Sequence, residues 1–370
     1  MSLVDQALPY VQAIMPYQPG KPISELARET GIAEGAILKL ASNENPLGMS
    51  PRAAAAMQAA LADLARYPDG NGFALKDKLA RRLAVAPGQL VLGNGSNDVL
   101  ELIARVFLAP GRAAVFAQHA FAVYPLATMA TGARGIEVPA LDFGHDLPAM
   151  QAAITPDTRL VFIANPNNPT GTFVEAEAVR QFIAAVPDDV VVVLDEAYNE
   201  YLPPAQRVDS VRWIASHPNL VVTRTFSKIY GLAGLRVGYA VASPAVADLM
   251  NRVRQPFNVN SLALAAACAA VDDEEFVSAS YEMNRRGMAQ IVEGLRTLAL
   301  RFIPSRGNFI TFEVAAGRGG AATVNQRLLA LGVIVRPIAG YGLPDWLRVT
   351  IGQPEENARF LTALGSALDG

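Results

Sequence analysis

The chain of 370 residues has one cysteine, Cys268, so no internal disulfide is available. That thiol sits in the alanine-rich run 262–270 with no histidine or basic neighbour, which reads as packing rather than nucleophilic chemistry. Histidine is almost as scarce. His119, His145 and His217 show no metal-ligand spacing with each other or with Cys268, and no metal site is expected. No apolar run approaches the roughly 20 residues that span a bilayer. Met1 to Tyr17 lacks a basic segment followed by an apolar one, so no signal peptide is expected and the cytoplasm is the expected compartment. Strong charge of one sign is missing too: the net charge is −3 and the basic residues form no run, which argues against nucleic acid or an acidic membrane as partner.

What is present is an apolar fraction of 51% with 18% charged residues, the composition of a globular protein with a sizeable core. Single cores stop growing near roughly 250–300 residues, so a large and a smaller domain are expected. Short apolar segments at Gln89–Leu92, Ala113–Ala117, Leu160–Ala164, Val190–Leu194, Leu220–Thr223 and Val237–Ala242 read as strands buried on both faces. They alternate with helical patterns at Asp98–Phe107, Val123–Thr131, Glu175–Ala185 and Val246–Arg254. The alternation predicts an α/β domain with a mostly parallel sheet over 45–260. A long helical stretch from about Ser261 to Leu300, followed by strands at Asn308–Glu313 and Leu347–Ile351, predicts a small α+β domain over 261–370. Residues 1–44, broken by Pro16, Pro19 and Pro22, read as an arm that packs elsewhere.

Lysine is rare as well. Of Lys21, Lys39, Lys76, Lys78 and Lys228, only the last ends an apolar strand, in Thr225-Phe226-Ser227-Lys228, with Gly231 and Gly234 close behind. That place meets a ligand in the crevice of a parallel sheet, and an amine that sheds its proton on desolvation suits covalent chemistry on a carbonyl. In isolation a solvated loop lysine is the better explanation. Asp195 ends the run Val190–Leu194, where a carboxylate points out of the sheet edge; an N-cap is the plain alternative. Pyridoxal phosphate needs such a carboxylate to keep its ring nitrogen protonated. Tyr198, three residues on, and Asn168, in the rigid turn Asn165-Pro166-Asn167-Asn168-Pro169-Thr170-Gly171, are placed to bond the ring hydroxyl. Gly93-Asn94-Gly95-Ser96-Asn97-Asp98 links a strand to a helix start that can cradle phosphate, with Ser227 and Arg236 adding a hydroxyl and a charge. It is no dinucleotide fingerprint, since Asp98 stands where the third glycine belongs.

Taken together, Asn168-Pro169-Thr170-Gly171, Asp195-Glu196-Ala197-Tyr198, Ser227-Lys228 and Gly234-Leu235-Arg236-Val237-Gly238 resemble, in order and spacing, the class I and II aminotransferases of pyridoxal-phosphate fold type I. Pro16 to Pro22, Leu40 to Pro46, Arg66-Tyr67-Pro68-Asp69 and Leu347 to Gly352 are similar to the histidinol-phosphate aminotransferase family within that group. The resemblance implies a seven-stranded, mostly parallel sheet, a smaller α+β domain, and a homodimer with shared active sites. It implies pyridoxal 5'-phosphate on Lys228, with Phe121 stacked on the ring and Ser96, Asn97, Thr225, Ser227 and Arg236 around the phosphate. Tyr67 would reach that phosphate from the partner subunit. Arg348, Arg336, Tyr17, Asn43 and Phe257 would face the substrate. Phe257 stands where some members carry a tyrosine, and Asn97-Asp98 replaces a more usual Asp-Glu pair.

The activity implied is transfer of the amino group of L-histidinol phosphate to 2-oxoglutarate, within histidine biosynthesis. Lys228, Asp195 and Tyr198 would be the catalytic residues. An aromatic amino-acid aminotransferase on the same scaffold remains open, as do a threonine-phosphate decarboxylase and a regulator with an aminotransferase body. The arm is too short to hold the added DNA-binding domain of such regulators, and the missing fingerprint argues against a nicotinamide dehydrogenase.

Overall fold

The computed structural model describes residues 2–369. In chain order the strands are β1 (Leu38–Lys39), β2 (Leu90–Gly93), β3 (Ala113–Ala117), β4 (Arg134–Val138), β5 (Thr158–Ala164), β6 (Val191–Asp195), β7 (Leu220–Thr225) and β8 (Gly238–Val241). Then come β9 (Phe302–Ile303), β10 (Phe309–Glu313), β11 (Val333–Ile334), β12 (Arg336–Pro337) and β13 (Trp346–Thr350). A seven-stranded sheet has the order β2-β8-β7-β6-β5-β3-β4, with β8 antiparallel to both its neighbours and the other pairings parallel.

The apolar runs form strands because both faces of the sheet are covered. Along β5, Leu160, Phe162 and Ala164 belong to one hydrophobic cluster, while Val161 and Ile163 belong to the other. β6 and β7 divide in the same alternating way, the period of two that a strand imposes. Five of the six expected α/β strands begin or end one or two residues from the expected bounds, and Ala113–Ala117 matches. β4 is the strand the pattern does not reveal. It lies at the sheet edge with exposed Arg134, Gly135 and Glu137, so it lacks a continuous apolar run.

A four-stranded antiparallel sheet, β12-β13-β10-β9, carries the second core, closed by the helices Glu274–Thr297, Gly320–Ala330 and Pro354–Asp369. The helical stretch expected from Ser261 to Leu300 is two helices. The first, Ser261–Val271, ends at Asp272, and the Asp273 side chain caps the second by accepting from the Phe276 N–H at 3.3 Å. Ala263, Ala266, Ala267 and Ala270 of the first helix pack in the large-sheet core, against the helices Pro51–Ala60 and Phe73–Leu83. The break placed at 260 therefore cuts off a helix that belongs with the larger core. Its alanines let helix backbones approach closely, a packing role that composition alone assigns to no domain.

The N-terminal segment is tied to the smaller sheet's side. β1 pairs in parallel with β11, and Leu26, Ile37 and Ala41 pack with Ile334. Among the described residues no helix is long and apolar enough to cross a membrane.

Candidate active site

The parallel strands of the large sheet all deliver chain to one edge, where loops following β2, β3, β5, β6 and β7 meet the small sheet around a cavity of about 190 Å³. Open α/β sheets bind ligands in this position. Lys228 follows β7, and its Nζ donates to the Ser42 carbonyl at 3.2 Å and lies 5.6 Å from the Tyr198 ring centroid. Its loop is held by Gly231 N–H to Lys228 O at 2.9 Å and Leu232 N–H to Phe226 O at 3.0 Å. Gly231 has φ +68°, and a Cβ there would lie 1.8 Å from the Gly48 oxygen, so only glycine fits. The ammonium keeps a narrow opening to the cavity but is surrounded by protein. Burial first, then Arg348 and Arg236, push it down to about 7 against the pull of Glu44 and Asp195.

Asp195 ends β6, beside Thr223 of β7, and is 5% exposed. Its Oδ2 accepts from the Tyr124 hydroxyl at 2.8 Å and its Oδ1 from the Ala197 N–H at 3.2 Å. Burial raises its proton affinity and the Tyr124 bond opposes that rise. The next residue, Glu196, does different work: it takes the Arg224 guanidinium at 2.9 and 2.7 Å and the Ser210 hydroxyl at 2.5 Å, tying the ends of β6 and β7 together. Tyr198 is buried, its hydroxyl accepts from Asn43 Nδ2 at 2.9 Å, and burial pushes it up to about 12, so it remains a phenol at neutral pH.

At another side the helix Ser96–Phe107 opens directly after Gly95, whose φ is +80°. Any Cβ on Gly95 would sit 2.4 Å from Arg236 Nη2, and one on Gly238 would sit 2.5 Å from the Ser96 nitrogen. Two glycines thus bring the free N–H groups of the helix start, the Arg236 guanidinium and β8 into one place. Arg236 also donates to Ser227 Oγ at 3.2 Å, and the Thr225 hydroxyl accepts from the Ser227 N–H at 3.1 Å. These are convergent donors for an oxyanion. Asn97 and Phe121 line the same cavity.

The small domain contributes a second cationic group. Arg336 of β12 and Arg348 of β13 are paired directly across the antiparallel ladder, both are under 10% exposed, and neither has an ion-pair partner among the described residues. Like charges facing each other in this way are unfavourable unless an anion joins them. Arg348 donates to the Asn168 side-chain oxygen and to the Ala41 carbonyl at 3.0 Å. Arg336 donates to the Tyr17 hydroxyl at 3.3 Å and stands 5.5 Å over its ring. Asn168 is therefore engaged with Arg348 through its oxygen, which leaves its NH2 to donate.

Of the residues singled out in the sequence, Tyr17, Asn43, Ser96, Asn97, Phe121, Asn168, Asp195, Tyr198, Thr225, Ser227, Lys228, Arg236, Arg336 and Arg348 all line this one cavity. Tyr67 and Phe257 do not. They stack on each other at 4.7 Å, 83% and 44% exposed, away from the chain's own cavity. Among the lining residues not singled out in the sequence as site residues are two tyrosines, Tyr124 and Tyr341. Tyr124 sits at the start of the helix Val123–Ala130, where an aromatic residue in an apolar helix reads as core and carries no sequence signal of a site role.

These groups fit a phosphorylated pyridine aldehyde: an oxyanion cradle whose glycines admit no side chain, a buried carboxylate for a cationic ring nitrogen, and an amine held partly neutral. Comparison with known proteins agrees. Residues 36–364 match the family model for aminotransferase class I and II. The chain is 69% identical over 368 residues to histidinol-phosphate aminotransferase 1 of Dechloromonas aromatica, covering 100% of both chains. It is 63% identical to the histidinol-phosphate aminotransferase of Methylobacillus flagellatus, covering 99% of this chain and 98% of that one. The crystal structure of the Sinorhizobium meliloti histidinol-phosphate aminotransferase in complex with pyridoxal-5'-phosphate superposes with a TM-score of 0.90 at 28% identity, covering 98% of each chain. The chain belongs to the class I and II aminotransferases, within their histidinol-phosphate aminotransferase group.

Proposed function

We propose that the chain transfers the amino group of L-histidinol phosphate to 2-oxoglutarate, giving imidazole-acetol phosphate and L-glutamate. The observation that carries this reading is the unpaired Arg336–Arg348 couple in a cavity that already has a separate phosphate cradle. One oxyanion site serves the cofactor, and the other is left for the substrate. An arginine fork accepts the phosphate of one substrate and a carboxylate of the other in turn. Tyr17 and Asn43 border the same site, and their hydroxyl and amide complete its donors.

When bound, pyridoxal phosphate supplies an electron-withdrawing ring that accepts the electron pair left when the carbon bearing the substrate amine loses its proton. Lys228 would hold the cofactor, and its Nζ would take up that proton and return it nearby. A value near 7 suits an amine that must both accept and donate at neutral pH. Asp195 provides the buried negative charge for the ring nitrogen. Tyr198 and Asn168 donate toward the ring hydroxyl, and Phe121 offers its face to the ring. Ser96, Asn97, Thr225, Ser227 and Arg236 bind the phosphate.

The working unit in this reading is a cytoplasmic homodimer. Exposed Tyr67 and Phe257 stack as a pair suited to a neighbour's site, and Leu61, Leu64 and Phe73 are exposed apolar side chains as well. Residues 45–260 with the following helix form the cofactor domain, and the remainder with the arm forms the substrate-closing one. The test is kcat/KM of the purified enzyme for histidinol phosphate and for phenylalanine with 2-oxoglutarate as acceptor. The reading requires preference for histidinol phosphate. Preference for phenylalanine replaces it with an aromatic amino-acid aminotransferase.

A further inference from the structure

Every pyridine-binding carboxylate faces a physical difficulty. Placed in a buried site, it gains proton affinity and tends to take the ring's proton for itself, leaving a neutral pair and a ring that withdraws electrons poorly. Asp195 is in that situation, 5% exposed at the end of β6.

What distinguishes this site is Tyr124. Its side chain is fully buried, its hydroxyl donates to Asp195 Oδ2 at 2.8 Å, and its ring is stacked on Phe162 of β5 at 4.7 Å with an interplanar angle of 6°. Phe121, the residue set to face the cofactor ring, meets Tyr124 edge-on at 5.8 Å and 86°. The phenol ring is thereby packed on both sides, while its hydroxyl bond to Asp195 sets its direction. The other carboxylate oxygen already accepts from Ala197 N–H. A donor therefore sits on each oxygen, and both stabilise the ionised form.

We propose that Tyr124 is a positioning residue that keeps Asp195 anionic and aimed, and so keeps the proton on the cofactor's ring nitrogen. This inference rests on the reading of Asp195 as the ring-nitrogen partner, and it goes further by naming what sets that partner's basicity. The Tyr124 hydroxyl retains its own proton throughout, because burial and the neighbouring carboxylate hold its acidity far below an ordinary phenol's. It acts only as a donor. A hydrogen bond to a charged group is worth roughly tenfold or more in an equilibrium constant, enough to move a shared proton.

The experiment uses the holoenzyme reconstituted with pyridoxal phosphate labelled with nitrogen-15 in the ring, because the ring-nitrogen resonance distinguishes the protonated from the unprotonated pyridine. Wild type is expected to give the protonated signal. Tyr124→Phe keeps the ring stack and removes one oxygen, so the chain folds, which near-ultraviolet circular dichroism checks. Its resonance is expected to move toward the unprotonated position, and the affinity of its cofactor-free form for pyridoxal phosphate is expected to fall about tenfold. Phe162→Leu loosens the stack while leaving the hydroxyl, and it is expected to lose stability with the nitrogen signal kept. A Tyr124→Phe holoenzyme with the wild-type resonance overturns the proposal, as does a Phe162→Leu change that shifts the resonance equally. Asp195→Asn separates the two levels: if it too leaves the resonance unchanged, the assignment of Asp195 itself fails, whereas a shift in Asp195→Asn alone defeats only the role of Tyr124.

Discussion

Lys228 titrates in the folded chain near 7 against an ordinary 10.5, and this makes a definite prediction about stability before any cofactor binds. Between those values the unfolded chain holds a proton on this amine and the folded chain does not. The unfolded state binds more protons there, so stability must rise with pH across the window from about 7 to about 10.5. Below 7 both states are protonated and the penalty of burying the cation is constant. The slope inside the window approaches about 1.4 kcal/mol per pH unit. From pH 7.5 to 9.0 the chain therefore gains about 2 kcal/mol from this one group. The perturbation is Lys228→Met, which removes the amine and keeps the volume. The assay is urea unfolding of the cofactor-free proteins at both pH values and one protein concentration. Other titrating groups cancel in the comparison, so wild type is expected to gain about 2 kcal/mol relative to the variant on moving to pH 9.0. Parallel profiles would refute the claim that burial and the flanking arginines strip this amine of its proton.

Three further outcomes follow from the site. Asp195→Asn is expected to fold but to lose at least roughly 10²-fold in kcat, the usual scale for one preorganised electrostatic contact; turnover within threefold of wild type would remove its role. Arg336→Ala is expected to lower kcat/KM for histidinol phosphate by more than for phenylalanine, since a phosphate draws on both members of the arginine pair; equal losses would place Arg336 outside the phosphate site. Inactive Lys228→Ala subunits mixed with Tyr67→Phe subunits are expected to regain activity, because one site of the hybrid is then intact. Hybrids that form without regaining it would show that Tyr67 serves its own chain.

Much of this was legible in the sequence because the chemistry sits where strands end. A valine-rich run closing on Asp195 and a β-rich run leading to Lys228 locate the cavity before any coordinates do, since parallel strands buried on both faces deliver their following residues to one edge. Edge strand β4 was hidden because Arg134, Gly135 and Glu137 face solvent and dilute the apolar signal. The helix Ser261–Val271 was assigned to the wrong core because a run of alanines packs equally well against either. Tyr124 was missed for a different reason. A tyrosine inside an apolar helix reads as core, and only the position of its hydroxyl, 2.8 Å from Asp195, reveals that the core residue also acts on the site. Phe257 lies outside the chain's own cavity because its loop turns through a left-handed backbone at φ +58° and lays the ring on Tyr67.

The central claim is that this cavity carries pyridoxal phosphate on one lysine. Borohydride reduction of the purified holoenzyme, followed by proteolysis and peptide mapping, reads the attachment point directly. The account predicts a single pyridoxyl label on Lys228, within the peptide containing Thr225-Phe226-Ser227. A label on Lys21, Lys39, Lys76 or Lys78, or no label on a cofactor-loaded enzyme, would contradict it.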